Sequence, residues 1–222
     1  MIIQGQVGQT LAADGTGVNL RQGRTGEVIM TQAHGRWHEQ TARGGVFTMT
    51  LTATTTAIAA GHIINASAAA NAQFALWNPV GSGVNLSLLK FYVGIISGTP
   101  VGGPVFHALL TQGIPTLANS VVASNVGVVN NNLAGGRMPV ARYLMSQAGS
   151  ALTGAGAAVT LRATGIDFSA AAFAAAAGQA QGLDLVEGDI VIPPGYGWLP
   201  MWGGAGTSLL NAYSVTWEEV AI

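Results

Sequence analysis

The four histidines are the side chains best suited to metal binding or acid–base chemistry, and two of them stand four residues apart. His34 and His38 lie in the segment HGRWHE, residues 34–39. On a helix this spacing would place both imidazoles on one face, where a metal could bind. Gly35 opposes a helix, however, and in a strand the two side chains would lie about 13 Å apart. We therefore expect polar contacts and no metal at this pair.

The other candidates for chemistry are isolated. His62 and His107 each stand beside an apolar strand pattern, where a histidine is usually a structural group with satisfied hydrogen bonds. Lys90 is the only lysine and follows two leucines, which excludes a Walker A phosphate loop. The chain has no cysteine, which excludes a thiolate nucleophile. It also has no G-x-S-x-G segment, so nothing in the sequence supports the nucleophile elbow of an α/β-hydrolase. We predict no catalytic residue, no metal and no cofactor, and a protein that is not an enzyme.

Aromatic residues near residue 200 suggest a different kind of site. Tyr196, Trp198 and Trp202 are close in sequence, and their ring faces could stack on the sugars of a host glycan. Tryptophans also bury a large area in cores and subunit interfaces. The segment GDIVIPPGYGW, residues 188–198, resembles the second motif of cupins, but Trp198 stands where a metal-binding cupin has a histidine. That resemblance implies a jelly roll without the metal centre.

Charge is scarce and unevenly placed along the 222 residues. Only 8% of them are charged, against about 25% in typical soluble proteins, and the net charge of −1 provides no basic field for nucleic acid or anionic lipid. No apolar run reaches the ~18 residues of a membrane span, and the start, MIIQGQ, predicts no secretory signal. The segment 1–43 carries 7 charged residues, whereas Lys90 is the only one in 44–136. We predict an extended N-terminal arm, 1–44, and a β-sandwich domain, 45–222.

Alternating apolar and polar residues predict the strands of that domain. In 47–54, Phe47, Met49 and Leu51 share one face and threonines occupy the other, the period of a half-buried strand. The alternation recurs in 213–218, and the long run 84–97 follows the turn signal NPVGSG. These patterns predict an all-β protein with an antiparallel, jelly-roll-like β-sandwich. Weaker strand candidates are 27–32, 62–66, 73–77, 105–111, 157–163, 183–192 and 197–202.

Two stretches do not follow this pattern. Residues 112–156 include three consecutive asparagines and two adjacent glycines and are too long for a simple turn. We predict one long loop excursion there, within which 140–147 could form a helical turn. Residues 169–180 are rich in alanine, which favours helix, and a short helix is expected.

Four segments are similar to those of small virion structural proteins of tailed bacteriophages. They are VNLRQGRTGE (18–27), HGRWHE (34–39), NPVGSGVNL (78–86) and SVTWEE (214–219). The resemblance implies a capsid cement or decoration protein: a jelly-roll-like sandwich that associates with its own copies and binds the major capsid protein. It implies no catalytic residue, and it implies a location in the virion, after assembly in the host bacterial cytoplasm.

A low-charge, alanine- and glycine-rich surface is compatible with a protein that lies against neighbouring subunits. We expect a homotrimer, or next a homodimer, without direct nucleic-acid or membrane contact. One alternative is a tail- or neck-associated virion component that serves as a carbohydrate-binding receptor module. Another is a cupin-like metalloenzyme that uses His34, His38, His62 or His107. The residues expected at interfaces are Arg21, Arg24, Arg36, Trp37, His38, Arg43, Tyr196, Trp198 and Trp202.

Overall fold

A computed structural model of the protein describes a little over half of the chain. The described residues are 5–6, 20–21, 35–52, 72–99, 103–110, 120–121, 129–132, 137–150, 158–168, 181–204 and 207–222. The chain divides into two compact units, Met1–Glu39 and Gln40–Ile222. The domain boundary at residue 44 stays a prediction.

The described elements are almost all strands. They are β1 (Gly5–Gln6), β2 (Leu20–Arg21), α1 (His38–Ala42), β3 (Val46–Leu51), β4 (Ala72–Trp77), β5 (Val84–Thr99), β6 (Gly103–Leu110), β7 (Ser120–Val121), β8 (Val129–Asn130), β9 (Arg142–Ser150), β10 (Ala158–Phe168), β11 (Gln181–Asp184), β12 (Val191–Ile192), β13 (Gly197–Trp202) and β14 (Thr207–Ala221). None of the described helices is long and apolar enough to cross a membrane.

Two sheets make up the second unit. The front sheet has the order β11-β5-β14-β3-β8, with β12 also paired to β5, and the back sheet has the order β10-β6-β13-β4-β9-β7. All their described pairings are antiparallel except that of β7 with β9. In the first unit, β1 and β2 pair in parallel. The predicted all-β class is therefore confirmed.

The inner faces of the two sheets share one hydrophobic core. Phe74 of the back sheet stacks on Tyr213 of the front sheet, with ring centroids 5.3 Å apart. On β3, Phe47, Met49 and Leu51 are fully buried while Thr50 between them is exposed, as the alternation in the sequence predicted. Burial of this kind contributes roughly 25 cal/mol per Å² of apolar surface, so the aromatic and aliphatic inner faces hold the sheets together.

The two central strands of the back sheet, β4 and β13, are buried on both faces. Every residue of β4 and β13 is buried, and the outer-facing side chains form a second hydrophobic cluster. A strand buried on both faces needs no polar alternation. This explains why the helical turn predicted at 140–147 is wrong: Tyr143, Leu144 and Met145 belong to strand β9 and are buried. The excursion predicted over 112–156 therefore contains a strand of nine residues.

Other predictions are corrected in part or lie outside the described residues. The single strand expected over 183–192 is two strands, β11 and β12, separated by a turn in which Glu187 has a φ of 54°. The extended arm includes helix α1 near its end. The strands expected over 27–32 and 62–66 and the helix expected over 169–180 lie outside the described residues.

The turn predicted at 78–83 is confirmed, and Asn78 organises it. Its Nδ2 donates to the carbonyl oxygens of Val84 at 2.8 Å and Ile192 at 2.9 Å. Gly81 and Gly83 both have positive φ, 74° and 72°, a conformation that favours glycine. The buried amide thus ties the start of β5 to the end of β12.

Candidate functional site

Among the described residues, the densest polar cluster in the interior is a chain of four side chains that joins the two sheets. Trp198 Nε1 donates to His107 Nδ1 at 3.0 Å, and His107 Nε2 lies 2.7 Å from Asp184 Oδ2. Arg162 Nη2 is 3.2 Å from the same carboxylate oxygen. We call these four residues the His107 cluster.

Strand register places the cluster. Arg162 on β10 and Pro200 on β13 flank His107 on β6, within the back sheet. Asp184 closes the gap from the front sheet, where it pairs with Phe91 of β5. The strands β10 and β11 are the outermost described strands of their sheets, so the cluster spans the sandwich at one side.

Close packing of β10 against β11 supports this geometry. A Cβ at Gly182 of β11 would overlap the side chain of Ile166 of β10. Glycine at this position lets a neighbouring side chain approach the backbone. The carboxylate of Asp184, two residues further on, is thereby held within reach of Arg162.

The hydrogen-bond pattern determines the tautomer of His107. An indole N–H can only donate, so Nδ1 must accept and the proton of the neutral ring must be on Nε2. His107 Nε2–H then donates to Asp184. The side chain of His107 is fully buried, and desolvation lowers its pKa, although Asp184 acts in the opposite direction. His107 is therefore neutral at pH 7.

This arrangement limits what the His107 cluster can do chemically. A His–Asp pair resembles the base and orienting acid of a nucleophilic site. Here the nitrogen that would face a nucleophile accepts a bond from Trp198, whose N–H is only a donor. Phe91 packs edge-on against both rings, with centroids 5.5 Å from His107 and 5.3 Å from Trp198. The geometry fits a fixed bridge between sheets better than a general base.

A second polar connection lies around Glu219 of β14. Its Oε1 accepts hydrogen bonds from the backbone N–H groups of Val140 at 2.7 Å and Ala141 at 2.9 Å. Its Oε2 lies 2.8 Å from Arg137 Nη1. Arg137 also covers the ring of Phe47, with Cζ 5.4 Å from the centroid. The front sheet thus holds the segment that leads into β9 of the back sheet.

The structure places the predicted aromatic residues mostly in the core. Trp198 and Trp202 are 0% and 1% exposed, and Trp202 Nε1 donates to Tyr213 Oη at 3.1 Å. Tyr196 is 38% exposed. The two tryptophans cannot stack on a glycan or contact another subunit, and their assignment as interface residues is corrected. The core alternative for these tryptophans holds.

The predicted polar interface residues are only partly described. Arg36 and His38 are exposed, and the Arg36 guanidinium lies 5.1 Å from the centroid of the half-buried Trp37. Arg43 is exposed as well. The residues whose side chains lie outside the description are Arg21, Arg24, His34 and His62. An interface role for Arg36, Trp37, His38, Arg43 and Tyr196 stays a prediction.

Of the pair His34 and His38, at which polar contacts and no metal were expected, only His38 is described. Helix α1 begins at His38, and Arg36 and Trp37 form a turn before it. In the part of the chain that the structure describes, no group of three or more histidine, aspartate or glutamate residues could hold a metal ion.

Sequence reasoning identified His107 as a structural histidine but missed its partners. Asp184 is 77 residues away and Arg162 stands on another strand. One signal was available and not used: in a strand, His107 lies on the same face as the apolar Val105, a position that faces inward and requires a hydrogen-bond partner. Glu219 gave no such signal, because two consecutive glutamates near a chain end usually face solvent.

Comparisons of the chain with protein families, with curated proteins and with solved structures find no match.

Proposed function

We propose that this protein is a structural virion protein, a cement or decoration protein with a jelly-roll-like sandwich, that associates with its own copies and stabilises a phage capsid shell. The single observation that carries self-association is the presence of exposed aliphatic side chains on or directly after the outermost described strand of each sheet. Leu183 and Leu185 are 58% and 54% exposed, and Val159 and Leu161 are 49% and 45% exposed. The sequence resemblance adds the capsid partner.

The position of these side chains supports an interface. They lie on or directly after β10 and β11, which form the ends of the two sheets as far as the description extends. An outermost strand offers unpaired backbone groups to a neighbouring strand. Natural proteins commonly protect such strands with charge, whereas the exposed residues of β10 and β11 include Val159, Leu161 and Leu183 beside small or neutral polar residues. Contact with another copy would bury them.

The scarcity of charge supports the same proposal. Obligate subunit interfaces are more apolar than ordinary surfaces. A cement protein needs no catalytic group, because many weak contacts to a shell act together through multivalency. The His107 cluster and the Glu219 connection fit this role as supports that hold the two sheets in register.

The proposal is tested by native mass spectrometry and sedimentation of the wild type and two matched variants. Leu183→Glu places a charge on the proposed interface, whereas Val220→Glu places one on the 43% exposed Val220 of the central strand β14. We expect a trimer for the wild type and Val220→Glu and monomers for Leu183→Glu. A wild-type monomer at micromolar concentration would refute self-association. Failure of the oligomer to cosediment with shells of the major capsid protein would refute the capsid role.

A further inference from the structure

The outer face of the front sheet carries an aromatic side chain, Tyr92, whose hydroxyl end packs over the backbone of Gly94. A Cβ at Gly94 would lie 2.7 Å from the hydroxyl oxygen of Tyr92 and 3.2 Å from Cζ, so the Tyr92 ring covers Gly94. The hydroxyl donates to Gln181 Oε1 at 3.2 Å. Aromatic side chains stabilise strand glycines in this way. The hydroxyl end of the ring is therefore held both by packing on Gly94 and by this hydrogen bond.

Hydroxyl groups continue the same face beside the ring. Ser214 is the cross-strand neighbour of Tyr92, and its Oγ lies 3.0 Å from Thr50 Oγ1. One row further along, Thr216 Oγ1 and Thr48 Oγ1 are also 3.0 Å apart. Thr48 donates its proton to Asn131 Oδ1 at 2.8 Å, so in its pair Thr216 donates to Thr48 and only acceptor positions are left for solvent. The Ser214–Thr50 pair retains one donor as well as acceptor positions.

Lys90 adds a positive charge to this face. It is the residue of β5 two positions before Tyr92, it is exposed, and it pairs across strands with Thr216. Within the described part of the chain it makes no ion pair. An exposed cation without a partner beside neutral hydroxyls complements an anionic group on a ligand.

We infer that this surface, which consists of Tyr92, Lys90, Ser214, Thr50, Thr216 and Thr48 and which we call the Tyr92 platform, binds an acidic saccharide. The negative face of an aromatic ring attracts the C–H groups on the apolar side of a pyranose. The paired hydroxyls exchange hydrogen bonds with sugar hydroxyls, and Lys90 binds the carboxylate. The platform adjoins the proposed self-association surface, because Leu183 is the cross-strand neighbour of Tyr92. Binding does not rest on self-association, however, because none of the six platform residues lies on β10 or β11.

Other ligands fit the platform less well. A single-stranded nucleic acid also stacks on aromatic rings, but it requires a positively charged groove along its backbone. The platform has one lysine, and the chain has a net charge of −1. The two rows of hydroxyls across β14 and β3 favour an oligosaccharide that lies across the strands, with a dissociation constant of about 1 mM to 0.1 mM.

The test is an NMR titration of the full chain with tetragalacturonate, a hyaluronate tetrasaccharide and a sialic acid tetramer, with the neutral maltotetraose and a thymidine oligonucleotide as comparisons. We expect at least one acidic saccharide to shift the resonances of Tyr92 and Ser214 and to bind more tightly than maltotetraose. If none shifts Tyr92 at about 10 mM, or if the oligonucleotide binds better, the inference is wrong.

Variants separate the parts of the platform. Tyr92→Ala is expected to weaken binding about tenfold, whereas Tyr92→Phe retains the stacking ring and most of the affinity. Gly94→Ala displaces the ring without removing it and should weaken binding similarly. Lys90→Gln should reduce the affinity for the acidic saccharide about threefold and leave maltotetraose unaffected. The control is Val80→Ala, at a residue of the 78–83 turn that is 81% exposed and lies outside the platform. Binding of Tyr92→Ala as tight as that of the wild type would overturn the inference, and retained circular dichroism spectra exclude misfolding.

Discussion

The outer faces of the two sheets differ in polarity and in exposure to solvent. On the front sheet the outer face carries threonine, serine and lysine side chains, and Thr50 and Lys90 are exposed. On the back sheet the outer face carries Ala75, Ala108 and Leu199, which are all fully buried. The inner faces of both sheets are apolar.

This difference is visible in the sequence of single strands. β3 has the sequence VFTMTL, and its two threonines are more exposed than its apolar residues. β4 has the sequence AQFALW and is buried throughout. A strand with one wet face needs polar residues at every second position, and a strand with two dry faces does not. Alternation along a strand therefore reports whether one of its faces meets solvent.

The largest expected effect comes from placing a charge on the dry outer face. Leu199→Asp would bury an unpaired carboxylate in the second hydrophobic cluster and should cost about 4 kcal/mol or more of unfolding free energy. Thr50→Asp, on the wet outer face, is the matched control and should change stability by less than about 1 kcal/mol. Urea denaturation measures both. Similar midpoints for the two variants would show that the faces do not differ as described.

The same contrast explains how much of the fold could be predicted. Strands with one wet face, such as β3, and the turn at 78–83 follow from local signals, because alternation and glycine positions are encoded within a few residues. Strand β9 was missed because Tyr143, Leu144 and Met145 are buried without alternation, and such a run is equally compatible with helix. The turn at Glu187 was missed because a non-glycine residue at positive φ has no common sequence signal.

The candidate site was less predictable than the fold. A histidine on an apolar strand face indicates that a buried hydrogen-bond partner is present. Which carboxylate this partner is depends on how the two sheets pack, and the local sequence does not show it. The Tyr92 platform was not predicted for a related reason: the ring matters only because Gly94, Gln181 and Ser214 come to lie around it. Sequence proximity instead drew attention to Trp198 and Trp202, which are core residues.

A smaller effect is expected from His107, which lies between the inner faces of the two sheets. The pKa of His107 is lowered below 6.5 in the fold, chiefly by burial. Between pH 6.5 and the folded pKa, the unfolded chain binds a proton that the folded chain does not, so stability falls as the pH falls. The facing ionisable groups are Asp184 on β11 and Arg162 on β10. One proton limits the slope to about 1.4 kcal/mol per pH unit.

The measurement compares urea unfolding of the wild type with that of His107→Gln between about pH 7.5 and pH 5. Glutamine does not titrate in this range, so the difference between the two curves isolates His107 from other groups. We expect the advantage of the wild type to shrink steadily below pH 6.5. A constant difference between the two proteins would mean that the His107 proton is not linked to folding.

The smallest expected effect concerns a carboxyl group that is buried although it lies on the outer face of the front sheet. Glu218 lies on the outer face of the front sheet, between Ser87 and Val46, yet it is only 8% exposed and makes no hydrogen bond with a described residue. Desolvation raises the pKa of its carboxyl group. The charged form is therefore disfavoured in the fold, and stability is lost as the pH rises from 4.5 through the folded pKa.

Glu218→Gln removes that penalty and should stabilise the protein at pH 7 by about 0.5 kcal/mol, with no gain below about pH 4. Thr216→Ser, on the same face of β14, serves as the control, and a Glu218→Gln variant that is less stable than the wild type at pH 7 would show that the carboxylate has a stabilising partner.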